Sequence, residues 1–185
     1  DVFRPIGDGT KEGALAWIDV LIQSLNEWNE YNHEKGKGMP IPQKWIRILE
    51  KTLRMPGLDW KTGQLDPSLK EIAANAKCCK DTVVRAWKGL NAIGVIHWVR
   101  RSIPTDNAPG EGPLREQTTN GYYFDLSAMP RRLYARFREL LGRRYKKKGK
   151  DAAMTMRLTT RSSRRRSTTK REQERHEAAE TNRFV

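Results

Sequence analysis

The chain is short and strongly basic: it has 185 residues, 37% of them hydrophobic, and 36 Lys and Arg against 22 Asp and Glu give a formal net charge of +14. This length allows one sizeable core, so we expect one domain with extensions, and the charge favours an anionic polymer or a membrane surface as the partner. No segment approaches the roughly 20 apolar residues of a membrane span and no signal peptide is recognisable, so we expect a cytoplasmic protein that does not insert into a membrane.

Two helical patterns lie in residues 1–66, which we interpret as a helical N-terminal extension. Large apolar residues recur at spacings of three and four between Lys11 and Tyr31, which predicts a long amphipathic helix that Thr10 can cap. The same periodicity returns over Pro42–Met55. Such apolar stripes most often pack against the rest of their own chain.

Two short helical patterns separated by a tight break open the next region, residues 67–141. Ser68 and Glu71 have the spacing of a capping box at a helix start, and Gly94 is placed to end the second helix. Between them, Lys77 lies in the break. The apolar face of the second helix holds Val83, Ala86, Trp87, Leu90 and Ile93. This pattern predicts a helix-turn-helix whose second helix buries one face and offers the other to base edges and phosphates.

A β-hairpin is predicted after this pair of helices. Val95–Arg101 and Tyr122–Leu126 have the β-branched and aromatic content of strands and should pair. The segment between them, Ile103–Gly121, is too long and too rich in Pro and Gly for a tight turn, so we call it the wing. A last helical pattern over Pro130–Leu141 should pack beneath the wing.

These elements resemble the winged helix-turn-helix family of bacterial DNA-binding proteins. The family pattern is matched by Ile72-Ala73 in the first helix, by Thr82-Val83-Val84-Arg85-Ala86 in the second, and by Leu90 through Gly94-Val95 at its exit. The turn departs from the pattern, because Lys77-Cys78 stands where the family usually has Gly and an apolar residue. The resemblance implies a mainly α fold with a small β-hairpin wing that binds double-stranded DNA.

The predicted DNA contacts lie on the helix-turn-helix and around the wing. In the second helix, Lys80, Asp81, Thr82 and Arg85 occupy the exposed first turns and are expected to face the major groove. The resemblance also implies that the wing meets the sugar-phosphate backbone or the minor groove. The remaining predicted contacts are Ser68, Lys77, Lys88, Arg100, Arg101 and Arg115.

The C-terminal residues 142–185 form a separate basic region. They hold 15 Lys and Arg against 5 Asp and Glu, with very few large apolar residues. Burial in this region cannot offset the entropy lost on ordering, so a disordered tail or a frayed helix is predicted. Its expected role is contact with phosphates, which adds affinity without sequence preference.

No catalytic, cofactor or metal chemistry is predicted. Cys78 and Cys79 are adjacent, which supports neither a disulfide nor a zinc site. His33, His97 and His176 lie in three different segments and lack metal-ligand spacing. No catalytic triad or carboxylate pair can be defended, so we expect neither an enzyme nor a bound cofactor.

The layout of helical extension, winged module and basic tail is similar to that of replication initiators of bacterial plasmids and other mobile elements. That resemblance implies binding to origin repeats and recruitment of host replication proteins. A transcriptional regulator, working with host transcription proteins, is the second interpretation, because regulators share the same motif.

Two further alternatives concern the partner. An RNA or single-stranded DNA binder would stack bases on tryptophans, and only Trp60 and Trp98 lie outside apolar helical stripes. A homodimer is the other open possibility, because helix-turn-helix proteins read two half-sites and long flanking helices often supply the two-fold contact.

Overall fold

A computed structural model describes residues 3–105, 112–113 and 115–149. The chain divides into two units, Asp1–Leu141 and Gly142–Val185. In the first unit, four α-helices precede two small antiparallel sheets and a helical segment over 131–141. The helices are α1 (Lys11–Tyr31), α2 (Gln43–Leu53), α3 (Leu69–Ala76) and α4 (Lys80–Ala92). The prediction of a mainly helical chain with a small antiparallel sheet after these helices is confirmed.

Helix α1 has the predicted bounds and supplies much of the core. The Thr10 hydroxyl accepts a hydrogen bond from the Gly13 amide at 3.0 Å, which caps the first turn. The Asn29 side chain binds the backbone N–H and C=O of Ile41, so the loop after α1 is tied back to the helix. The apolar stripe is buried within the chain through Ala14, Trp17, Ile18, Val20, Leu21 and Leu25. A dimer contact would therefore need another face of this helix.

Helices α3 and α4 end with the same hydrogen-bond pattern. The Cys78 amide donates to the Ala73 carbonyl at 2.9 Å, and the Val95 amide donates to the Leu90 carbonyl at 2.9 Å. Each pattern needs one residue in the left-handed conformation. Gly94 takes this position after α4 with φ 71°, whereas Lys77 takes it after α3 with φ 53°. Lys77 is the one non-glycine residue with positive φ in the described part of the chain.

The two predicted strands pair, but they are shorter than predicted. Strand β1 (His97–Val99) is antiparallel to β4 (Gly121–Tyr123). On the other side of β4, Leu65 exchanges two backbone hydrogen bonds with Tyr122, at 2.8 and 3.3 Å. The strand assignment of Leu126 was wrong, because Leu126–Ala128 form a 3₁₀ turn whose start is capped by the side chain of Asp125.

The wing contains a second hairpin that the sequence did not predict. Strand β2 (Ser102–Pro104) is antiparallel to β3 (Arg115–Gln117). All six residues are exposed, so this hairpin has no buried face and leaves no alternation of apolar and polar residues in the sequence. The sequence predicted an extended wing here, without naming these two strands.

The helical segment over 131–141 packs on α1. Leu133, Phe137 and Leu140 are buried, as the sequence predicted, and the Phe137 ring meets the Trp17 ring edge-on at 5.6 Å between centroids. In the second unit, residues 142–149 are helical. Of the two predicted alternatives, residues 142–149 therefore take the helix, and residues 150–185 of the predicted tail lie outside the described residues.

Candidate nucleic-acid interface

Helix α4 has a fully buried face and a charged exposed face. Val83 and Ala86 have no solvent exposure. The Trp87 ring meets the Tyr122 ring edge-on at 5.9 Å, which holds α4 against the sheet. The exposed face carries Lys80, Asp81, Arg85 and Lys88, and none of the four forms an ion pair within the described residues. These side chains remain available to an external partner.

The start of α4 is built by Cys79 and Thr82. Cys79 is the N-cap, and its Sγ lies 3.0 Å from the hydroxyl of half-buried Thr82. The hydrogen bond from the Thr82 side chain, with a smaller contribution from its backbone, lowers the pKa of the Cys79 thiol. Thr82, predicted to face the major groove, therefore has a structural partner. Both Cys78 and Cys79 are free thiols.

Two other predicted contacts frame α3. Ser68 and Glu71 form the predicted capping box: the Ser68 hydroxyl accepts from the Glu71 amide at 3.2 Å, and the Glu71 carboxylate accepts from the Ser68 amide at 2.7 Å. Hydrogen bonding of the Glu71 carboxylate to the Ser68 backbone amide, and second to the Ser68 side chain, lowers the pKa of Glu71. At the opposite end, the side chain of Lys77 is exposed in the turn that leads into α4.

The three arginines predicted to contact DNA around the wing have different surroundings. Arg101 forms an ion pair with Asp66 at 2.9 Å. Arg115 donates to the Ser102 hydroxyl at 2.8 Å and to the Ser102 carbonyl at 3.0 Å, which fixes the second hairpin, and it forms no ion pair among the residues that the structure describes. Arg100 is exposed and forms no ion pair within the ranges described. Arg101 and Arg115 thus stabilise the fold, in addition to any role in binding.

The tryptophans predicted as stacking platforms lie against the protein core. Trp60 and Trp98 are both half-buried and pack on the buried cluster, and Trp98 stands opposite Tyr122 in the sheet. Packing on the core therefore covers part of each ring and reduces the surface on which a nucleobase could stack.

The described histidines occupy ordinary structural or surface positions. The His97 ring contacts the Asn91 amide and the Asp125 carbonyl, each at 3.2 Å, whereas His33 is exposed. His176 lies outside the described residues. Over 3–105, 112–113 and 115–149, no three His, Cys, Asp or Glu side chains are placed to hold a metal ion. No helix in this part of the chain is long and apolar enough to cross a bilayer.

Sequence reasoning missed two cations of α2, Lys44 and Arg47. Their spacing of three residues on the polar face was a readable signal, but the helix was interpreted only through its apolar stripe. Both side chains are exposed. Their position beside Lys77 depends on how α2 and α3 pack.

Comparisons with known proteins add no relative: no protein family, no curated protein and no solved structure matches this chain.

Proposed function

We propose that this chain binds double-stranded DNA sequence-specifically, with α4 in the major groove and the wing on the phosphate backbone. The observation that carries the proposal is the division of α4 into a buried face and an exposed face with unpaired Lys80, Arg85 and Lys88. Long cationic side chains on a rigid helix can reach both base edges and phosphates.

The order of the elements also supports this proposal. The order along the chain is α2, Leu65, α3, α4, β1 and β4. Leu65 and β1 pair with β4 on its two opposite sides. A helix pair followed by a hairpin against a short third strand is the arrangement expected of a winged helix-turn-helix.

The biological role that we propose is initiation of replication of a plasmid or other mobile element. The layout of the sequence resembles such initiators, and their mode of action requires DNA binding and recruitment of host replication proteins rather than catalysis. Regulation of transcription is the alternative, since both roles use the same kind of interface. A homodimer on paired half-sites is compatible with either role.

The test is selection from a randomised duplex library by the purified full chain. We expect one motif to be enriched over successive rounds, and we expect the selected duplex to be bound more tightly than a shuffled duplex of equal length. Enrichment of no motif would overturn sequence-specific binding. Iterated copies of the motif beside an AT-rich stretch would favour replication, whereas one copy overlapping a promoter would favour transcription.

Competition experiments separate this proposal from single-strand or RNA binding. Unlabelled selected duplex should displace the labelled duplex, whereas either separated strand or an RNA of the same sequence should displace it poorly. Stronger displacement by a single strand would overturn the proposal in favour of a single-strand binder.

A further inference from the structure

A basic groove lies beside the turn between α3 and α4. It has a volume of about 620 Å³ and lies between α1, α2 and the end of α3. Three cations from two elements line it: Lys44 and Arg47 from α2, and Lys77 from the turn. We call it the α2 groove.

The cations of the α2 groove are held on a rigid support. Helix α2 buries Ile46, Ile48 and Leu49, which turns Lys44 and Arg47 outward. The Trp45 ring lies so close to Gly89 of α4 that a Cβ at Gly89 would come within 1.9 Å of it.

A polar contact also ties α3 to α2. The Asn75 side chain donates to the Lys51 carbonyl at 2.9 Å. Helix α2 is thereby fixed against both helices of the proposed DNA-binding pair, and its cations have a defined position relative to α4.

The α2 groove has an excess of positive charge. Lys44, Arg47 and Lys77 form no ion pair among the residues that the structure describes. The one acidic residue that lines the groove, Glu50, already pairs with Arg54 at 3.3 Å. The groove therefore suits an anion. Its polar lining also includes the side-chain amides of Gln43 and Asn26, the first of which donates a hydrogen bond to the second at 2.9 Å.

The positive charge has a clear boundary along α1. The adjoining groove shares Ile22, Asn26 and Glu50 with the α2 groove, but Asp19, Glu27 and Glu30 also line it. Arg54, which pairs with Asp19 and Glu50, is the cation among its lining residues, so carboxylates remain in excess. Carboxylates repel phosphates, so a nucleic-acid backbone in the α2 groove would not extend along this face. Toward Lys77, in contrast, the groove ends at the turn that leads into α4.

We propose that the α2 groove binds the phosphate backbone of the same duplex whose major groove receives α4. The inference rests on the proposed function, because it takes the duplex as the common partner. It assigns Lys44 and Arg47 to the DNA interface and gives α2 a binding role besides its packing role. Phosphate contacts of this kind fix the register of the protein without reading sequence.

The test is the salt dependence of duplex binding by a Lys44→Ala, Arg47→Ala double variant of the full chain. Each lost phosphate contact makes the slope of log affinity against log salt shallower by about 0.9, so the double variant should lose about 1.8. The loss should be similar on the selected duplex and on a shuffled duplex. Ala is a good helix former and both positions are exposed, so the unfolding temperature should remain that of the wild type.

Two matched variants complete the experiment. A Lys35→Ala, Lys61→Ala variant removes the same charge from exposed positions outside the groove and should keep the wild-type slope. A Lys44→Arg, Arg47→Lys variant keeps the charge and should also keep the slope. Equal shallowing by both alanine variants would overturn the α2 groove assignment in favour of a general charge effect.

The remaining outcomes separate this inference from the proposed function. If the wild-type chain binds duplex and the Lys44→Ala, Arg47→Ala variant has an unchanged slope, the groove assignment is wrong and the α4 interface stands. If the wild-type chain binds no duplex, both proposals fail.

Discussion

The cations of helix α4 differ from the arginines in and beside the wing in whether they already have partners in the fold. The cations of α4 lie on an exposed face and have no ion pair within the described residues, whereas Arg101 is paired with Asp66 and Arg115 holds the backbone of Ser102. A count of the arginines in a segment of the sequence therefore does not locate a binding surface. A cation already used to hold the fold must break or share that contact before it can bind phosphate.

Helix α4 and the hairpin of β2 and β3 are also held rigid in two different ways. Helix α4 is rigid because its apolar face is buried, so its polar face is free to bind. The β2 and β3 hairpin buries nothing, and polar contacts by side chains such as Arg115 hold it instead. We therefore expect the energy of specific recognition to come mainly from α4.

We expect the largest loss of stability from a substitution at Gly94, where the chain leaves α4 and continues into the sheet. Gly94 has φ 71°, and a Cβ there would lie 2.5 Å from the Ala128 carbonyl carbon. Gly94→Ala should therefore lower the free energy of unfolding by about 3 kcal/mol, through backbone strain and overpacking together. Urea unfolding measures this loss.

Gly36→Ala is the matched control for that variant. Gly36 has φ 85°, but a Cβ added there would have no neighbour within 4 Å, so the substitution should cost only the backbone term of about 1 kcal/mol. Equal losses of unfolding free energy at the two positions would show that crowding against Ala128 adds nothing to the cost of Gly94→Ala.

A smaller effect, of opposite sign, is expected at the turn that leads into α4. Lys77 takes the left-handed conformation that glycine adopts without strain, so Lys77→Gly should stabilise the fold by about 1 kcal/mol or less. The same variant should bind duplex more weakly, because it removes a cation from the proposed interface. Ala74→Gly, within helix α3, should instead destabilise by about 1 kcal/mol. A loss of stability in Lys77→Gly would contradict the strain argument.

The predictability of the fold from sequence differed sharply between these regions. Helix α1 was predicted to the residue, because a long apolar period and a capping threonine act within one local segment. The pairing of β1 with β4 was also readable from composition. The β2 and β3 hairpin was not, since strands without a buried face leave no hydrophobic period.

The candidate site was likewise predictable from the sequence only in part. The exposed face of α4 followed from its helical period, so the outward position of Arg85 and Lys88 was predictable. The pairing of Arg101 with Asp66 joins residues far apart in the sequence, and the approach of α2 to Lys77 depends on helix packing. Neither relation leaves a local pattern, so both required the structure.

The smallest effects are expected at Arg100 and Arg101, which precede the wing. Arg101→Ala should cost about 0.5 kcal/mol of stability, because the ion pair with Asp66 is only partly shielded from water. Arg100→Ala should leave stability unchanged and weaken duplex binding. A thermal unfolding curve and a binding isotherm for each variant make the test. If Arg101→Ala weakened binding as much as Arg100→Ala with no loss of stability, the assigned structural role of Arg101 would be wrong.

The central claim is that α4 reads bases, and the most direct test is the change in specificity of Arg85→Ala. Affinity is measured for the selected duplex and for a shuffled duplex, with Arg131→Ala as a control at an exposed position outside α4. Loss of a good base contact should weaken binding to the selected duplex by about 1–3 kcal/mol and shuffled binding by less. Arg131→Ala should keep the ratio of the two affinities. An equal fall on both duplexes in Arg85→Ala, or no fall on either, would contradict base recognition by Arg85.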